Sequence, residues 1–266
     1  MDLKLKGRRA LVTGGATGIG KAIATALAAE GAHVVIASRT SETLERTAEE
    51  LRSGGNAHIH GVVVDTGNDA SVEAMAAEAA QLLGGIDILV NAAARRAGSK
   101  PPPGLLDSTS DMFWDEMNIK VLGYLRTARA VAPAMIAQRW GRIINIGGLA
   151  ARHAQSAIWS ARNVAVSALT KNLADELGAH GINVTAVHPG STRTEATATI
   201  FAERAANAGI SPQEIESRIA GNVAIGRIVD AAEVADVVAF LASPRSVAIS
   251  GESIAVGGGF KGPIYY

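Results

Sequence analysis

The chain has no cysteine, no net charge and no long apolar run, and each lack removes a class of answers. Without cysteine there is no disulfide, no thiol nucleophile and no thiolate metal site. That lack fits a reducing compartment. The 25 Lys and Arg residues balance 25 Asp and Glu, which argues against a general binder of nucleic acid or of membrane surfaces. No run of about 18 apolar residues occurs, so no transmembrane helix is expected. Met1 to Arg9 alternates Leu with charged residues and lacks a signal-like apolar core, so the expectation is a soluble cytoplasmic protein. The six histidines are scattered without ligand spacing, so no metal site is expected. No internal repeat or low-complexity linker divides the 266 residues, a length that fits a single α/β domain spanning 1–266.

What is present is alternation. Arg9–Thr13, His33–Ala37, Ile59–Val64, Ile86–Val90, Arg142–Ile146, Asn183–Val187 and Ser253–Val256 are short, apolar and often β-branched, as strands buried on both faces of a parallel sheet are. Ala-rich helical stretches lie between them near 19–30, 41–53, 69–83, 111–138, 156–178 and 231–242, with Asp69, Ser71 and Asp230 as N-cap or first-turn residues. This order predicts a doubly wound, mostly parallel seven-stranded Rossmann-type sheet with helices on both faces. The segment Ser99–Gly104 reads as a stiff rim loop. Residues 192–228 show only weak helical periodicity and are a candidate substrate lid.

The strongest local signal is Thr13-Gly14-Gly15-Ala16-Thr17-Gly18-Ile19-Gly20, between the first strand and the first helix. Its glycines permit a tight turn and close approach of a diphosphate, and the helix N-terminus offers free N–H groups and a favourable dipole. The second strand ends Ala37-Ser38-Arg39. Ser38 cannot repel a phosphate and Arg39 can fork onto one, which predicts NADP(H) over NAD(H), with NAD(H) possible as a weaker ligand.

The spacing Gly14-x3-Gly18-x-Gly20 resembles the short-chain dehydrogenase/reductase superfamily, in particular members like 3-oxoacyl-carrier-protein reductases. Further matches run across nearly the whole chain. Asp65, followed by Thr66, resembles the family's adenine contact. Asn91-Ala92-Ala93-Ala94 resembles its Asn-Asn-Ala-Gly element, and Arg142–Ile146 its fifth strand. Pro189-Gly190 with Thr192 and Thr194 resembles the loop that holds the nicotinamide carboxamide. The resemblance implies that these residues bind a dinucleotide, that the chain acts on a small molecule, and that the long helices pair into a dimer or tetramer. The Ala-rich stretches Thr127–Ala137 and Ala161–Ala174 offer smooth faces for such pairing, and the tail Phe260–Tyr266 ends apolar.

The resemblance also locates the catalytic set, usually Asn, Ser, Tyr and Lys, at Lys120, Gly148, Trp159 and Asn163. All four residue types differ. Trp159 has only an indole N–H donor, Asn163 no charge, and Gly148 no side chain. Trp159 and Asn163 stand one turn apart on one helix face. If Lys120 is the matching position, the Asn and Lys types have exchanged places, and an ammonium stays in the pocket. The competing alignment puts Lys120 at the surface and makes Asn118 the helix-kink residue. His153, Ser156 and Tyr124 are the other candidate proton donors, and His188 reads as packed behind the cofactor. Arg95, Arg96, Lys100 and Arg152 form a cationic rim that suits an anionic substrate. The leading reading is an NADP(H)-binding oxidoreductase with an atypical site. A lyase or hydratase using Lys120 and His153 as acid and base, and a catalytically silent cofactor-binding or regulatory protein, stay open.

Overall fold

The computed structural model describes residues 1–55, 58–95, 103–262 and 264. Seven parallel strands form the central sheet: β1 (Arg9–Thr13), β2 (His33–Ser38), β3 (Ile59–Val63), β4 (Ile88–Asn91), β5 (Gly141–Ile146), β6 (Ile182–Pro189) and β9 (Ser253–Val256). Their order is β3-β2-β1-β4-β5-β6-β9. The order reverses between β1 and β4, which is where such sheets open a crevice at the strands' carboxyl ends. Two short strands, β7 (Thr192–Arg193) and β8 (Val229–Asp230), pair with each other beyond that edge.

Alternation along the strands builds two cores. Ala10, Val12, Val34, Ile36, Ile88, Val90 and Ile144 face one side, against α1 (Gly18–Ala29) and α9 (Ala231–Ala242). Leu11, Val35, Leu89, Ile143 and Val184 face the other, against α3 (Asp69–Leu83), α5 (Gly123–Gln138) and α6 (Ala157–Leu177). Side chains of period two are thus sorted to opposite faces, which is why these strands read as continuous apolar runs. The remaining helices are α2 (Ser41–Ser53), α4 (Ser110–Glu116), α7 (Thr197–Ala208) and α8 (Pro212–Ala220).

Asp69 stands in the first turn of α3, as expected, behind Asn68, whose side chain caps the helix by accepting from the Ser71 N–H. Asp230 caps α9, in a capping box with Glu233. Two expectations are corrected. The stretch 111–138 is not one helix. A π-helical turn over Met117–Leu122 separates α4 from α5, and such bulges rotate the side chains that follow them. Residues 192–228 contain two helices rather than weak structure. Ser211 accepts from the Glu214 N–H and Pro212 sits at the first turn of α8, a start signal present in the sequence. Among the described residues no helix is long and apolar enough to cross a membrane.

Candidate active site

The turn after β1 packs against the end of β4. Gly14 has φ +70°, and a Cβ there would lie 2.7 Å from the Ala92 carbonyl carbon. Ala92 in turn donates its N–H to Thr13 O at 3.1 Å. Thr17 caps α1 without using its hydroxyl, and Thr17, Gly18 and Ile19 are partly exposed at the helix N-terminus, with Gly20 buried behind them. The Gly18 N–H donates to the Glu195 carboxylate at 2.7 Å. This amide already holds an anion, so the α1 N-terminus is shaped for one. Sequence reasoning did not single out Glu195. It follows Thr194 by one residue but lies 177 positions from Gly18, so no sequence signal pointed to the contact.

Ser38 is half-buried at the end of β2, and Arg39 beside it is exposed, its side chain making no hydrogen bond or ion pair to a described residue. Asp65 is exposed at the end of β3, and one carboxylate oxygen accepts from the Gly67 N–H at 2.9 Å. Ala92 and Ala93 are partly exposed in the crevice beyond β4. Pro189 ends β6 buried. Gly190 donates to Val256 O at 3.2 Å, and its carbonyl accepts from Thr192 Oγ1 at 3.0 Å. The Thr194 N–H donates to Thr197 Oγ1 at 2.8 Å, leaving both Thr192 and Thr194 partly exposed over the crevice.

Two expected cofactor contacts point elsewhere. Asn91 is fully buried. Its Nδ2 donates to Asn145 Oδ1 at 2.9 Å, and its Oδ1 accepts from Thr127 Oγ1 at 2.7 Å. Asn145 Nδ2 continues the chain to Thr170 Oγ1 at 3.0 Å. This satisfied polar ladder ties β4 and β5 to α5 and α6, so the Asn91 side chain holds the frame rather than a ligand. Thr66 is also buried, and its hydroxyl donates to Ile119 O at 3.1 Å, anchoring the π turn.

That turn aims Lys120 inward. The side chain is 3% exposed, and Nζ donates to Gly147 O at 2.9 Å and to Asn163 Oδ1 at 3.0 Å. Asn118 instead donates Nδ2 to Gly67 O at 3.3 Å, away from this cluster. Lys120 therefore occupies the inner position, and the surface reading is corrected. Asn163 is equally buried and donates Nδ2 to the Trp159 carbonyl at 2.9 Å. A Cβ on Gly148 would lie 3.3 Å from Asn163 Nδ2, so a glycine at 148 and an amide at 163 fit one another. Trp159 is partly exposed on the same face of α6, with the Arg162 guanidinium 5.9 Å from its ring centroid. Arg162 and Glu116 form a largely buried ion pair next to Lys120. Burial holds the Lys120 ammonium well below the ordinary lysine value. Arg162 pushes the same way and Glu116 opposes it.

Of the other candidate donors, Tyr124 and His153 fall out on geometry, and His188 is packed as expected. Tyr124 is 1% exposed and its hydroxyl donates to Ile146 O at 2.9 Å, while burial pushes its pKa upward. His188 is fully buried. Nδ1 accepts from the Gly148 N–H at 3.0 Å and Nε2 meets Ser167 Oγ at 2.9 Å. The acceptor role at Nδ1 puts the proton on Nε2, and burial, with Arg152 and Lys120 nearby, holds the ring down to about 4. His188 thus shapes the 147–148 loop from behind. Gly147 is required there, because a Cβ would stand 2.1 Å from His188 Nδ1. His153 stacks on Phe260, ring centroids 4.4 Å apart, and has no contact with Lys120, so the acid–base pairing of these two is not assembled. Ser156 Oγ is buried at the N-cap of α6 with no partner among the described residues.

The two described residues of the cationic rim are both engaged. Arg95 pairs with Asp115 at 2.7 Å and Arg152 donates to the Ser253 carbonyl. Arg96 and Lys100 lie outside the described residues, as do most of the predicted rim loop at 99–104 and part of the tail at 260–266. Among the described residues no cluster of His, Asp and Glu is arranged to hold a metal.

Comparison with known proteins agrees with this architecture. Residues 8–205 match the family model described as short chain dehydrogenase. The chain is 34% identical over 259 residues to a 3-oxoacyl-[acyl-carrier-protein] reductase of Pseudomonas aeruginosa, covering 97% of this chain and 98% of that one. It is 35% identical over 252 residues to the short-chain reductase protein NovJ of Streptomyces niveus, covering 94% and 92%. Among solved structures, L-sorbose reductase from Gluconobacter frateurii, complexed with NADPH and L-sorbose, superposes with a TM-score of 0.92 at 27% identity, covering 99% of this chain and all of that one. An actinorhodin polyketide ketoreductase variant with NADPH gives 0.84 at 33% identity over 94% and 96% of the two chains.

Proposed function

Since the chain belongs to the short-chain dehydrogenase/reductase family, we propose that it is an NADP(H)-dependent oxidoreductase interconverting a small carbonyl compound and its alcohol through a rearranged proton site. The observation that carries this reading is the contact of Lys120 with Asn163 beside Gly148. On this reading the pocket keeps one cation and one amide, at positions exchanged from those that the family resemblance implies.

The residues present fit the dinucleotide. The α1 N-terminus already binds a carboxylate at Gly18, Arg39 stands exposed and unpaired for a 2′-phosphate, and Thr192 and Thr194 overhang the crevice. NADPH-bound neighbours of closely similar fold support the same cofactor. When bound, NADP(H) supplies or takes up the hydride. Proton handling and orientation fall to the chain. Two acceptors, Gly147 O and Asn163 Oδ1, match the two N–H groups of a neutral Lys120 amine and leave one position for an exchangeable proton. A lysine pushed down by burial is a better acid near neutral pH than an ordinary one. Asn163 uses one N–H on Trp159 O and keeps the second for a substrate oxygen near Gly148. Asp115 neutralises Arg95, while Arg152 donates to the uncharged Ser253 carbonyl and keeps its positive charge, so the substrate class is a small carbonyl compound, with an anionic one suited to Arg152.

Two measurements test this. Equilibrium titration should give tight NADPH and weak NADH binding, with Arg39→Ala weakening NADPH by about tenfold or more and leaving NADH unchanged. A carbonyl panel followed by NADPH oxidation should yield turnover that Lys120→Met reduces about 10²-fold or more without loss of NADPH affinity. Unchanged turnover in that variant overturns the role of Lys120. Failure to bind either dinucleotide overturns the redox reading.

A further inference from the structure

A second cavity lies at the opposite end of the sheet from the dinucleotide crevice, at the amino ends of β5 and β6. It has a volume of about 500 Å³. Arg139, Trp140, Arg142, Ile182, Pro244 and Val247 line it, and no described Asp or Glu does. Arg142 is 3% exposed. Its Nε donates to Ser243 O at 3.3 Å and Nη1 to Gly141 O at 2.8 Å, while Nη2 makes no hydrogen bond to a described residue. Its guanidinium lies 4.8 Å from the Trp140 ring centroid, and that of Arg8 lies 3.9 Å from the same ring.

A buried guanidinium is normally held by a carboxylate, because an uncompensated charge out of water is costly. Arg142 has none. Asp87, whose backbone carbonyl accepts the Arg142 N–H, gives both carboxylate oxygens to Arg9 at 2.9 and 2.6 Å. Burial and the neighbouring Arg8 push the Arg142 pKa down to about 10, so the site leaves this cation uncompensated. Arg139, held in the left-handed region at φ +55° by the turn into β5, brings a second guanidinium to the cavity rim.

We infer that this cavity binds a small amphiphilic carboxylate, its anionic end on Arg142 and Arg139 and its apolar body against Ile182, Pro244 and Val247. The two arginines supply the fork geometry that carboxylates match. The cavity volume and apolar wall call for more than a bare ion. The site is separate from the catalytic crevice. Arg142 is the second residue of β5, and the other end of that strand carries the 147–148 loop after roughly 13 Å.

The test is calorimetric titration of the whole protein with hexanoate, hexan-1-ol and inorganic phosphate, in the presence of saturating NADPH. The expected result is one hexanoate per chain, with hexan-1-ol and phosphate each bound at least tenfold more weakly. Arg139→Gln, a surface change, should weaken hexanoate about tenfold. Val247→Asp should abolish its binding while the NADPH titration stays unchanged. Equal binding of hexan-1-ol or phosphate overturns the proposal, as does hexanoate affinity that survives Arg139→Gln, or no hexanoate binding at all. If Val247→Asp loses NADPH binding and hence its fold, Arg139→Gln alone decides.

Discussion

Lys120 Nζ and Asn163 Oδ1 lie 3.0 Å apart, linking the π turn to α6 with both residues almost wholly buried. The contact is the internal support of the 147–148 loop as well as the centre of the proposed chemistry, because Lys120 also holds Gly147 O. Lys120→Met strips a donor from two buried acceptors and should destabilise the protein by about 1–3 kcal/mol in urea unfolding. In a double-mutant cycle with Asn163→Ala the two losses should not add, with a coupling above about 1 kcal/mol. Additive losses would show that the two side chains are neighbours without being partners.

The depressed Lys120 pKa has a sign that can be checked. The folded protein releases this proton below the unfolded value of about 10.4, so between the two values the unfolded chain holds more protons. Stability should therefore rise with pH across that alkaline window, and the cost of burying Lys120 should vanish toward pH 10.4. Denaturation at a series of pH values should show the rise in the parent protein and a flatter profile in Lys120→Met. Equal slopes would mean that Lys120 keeps an ordinary pKa.

Most of this architecture was legible in the chain. The strands at 9–13 and 141–146 are buried on both faces, so the apolar runs that mark them survive without any tertiary information. The Gly14–Gly20 turn is set by local backbone demands and was read for the same reason. Lys120 was not decidable from sequence, since a π turn shifts the helix phase and periodicity carries no sign of it. The inward side-chain bonds of Asn91 and Thr66 were not legible, because a motif fixes where a residue sits along a strand but not which hydrogen bonds its side chain makes. The Arg152–Ser253 and Gly18–Glu195 contacts join residues about a hundred or more positions apart, where sequence pattern has no reach.

The Gly18–Glu195 contact predicts competition. The carboxylate uses an amide that a diphosphate needs, so dinucleotide binding has to displace it. Glu195→Gln should tighten NADPH binding about two- to fivefold at low ionic strength, the scale of a charge at a helix N-terminus. The gain should shrink with added salt. Weaker binding in the variant would mean that Glu195 contacts the cofactor side favourably instead of blocking it.

His188 gives a pH signature of its own. Its folded pKa is held at about 4, below the unfolded value near 6.5, so the folded state takes up its proton later as pH falls. The stability this provides is fully present above pH 6.5 and is lost as pH drops from there toward 4, amounting to up to about 3 kcal/mol. An NMR titration should show the His188 ring signals unmoved until below pH 5. A midpoint near 6.5 would show the ring open to solvent and the Gly148 N–H without its acceptor.

The site can also be taken back toward the family pattern. Gly148 has φ 175°, ordinary extended backbone, so a serine there meets no backbone strain. Its only crowding is with Asn163 Nδ2, and a change at 163 relieves it. Lys120→Asn and Asn163→Lys exchange two groups already in contact, and Trp159→Tyr adds the missing hydroxyl on the same helix face. If the absent phenol limits the rate, the fourfold variant should reduce simple ketones with NADPH about 10²–10⁴-fold faster than the parent. Because such groups act as a unit, Trp159→Tyr alone should recover little of that gain. A fourfold variant that folds and binds NADPH but is no faster would show that Lys120 and Asn163 already supply the proton chemistry that the tyrosine performs elsewhere.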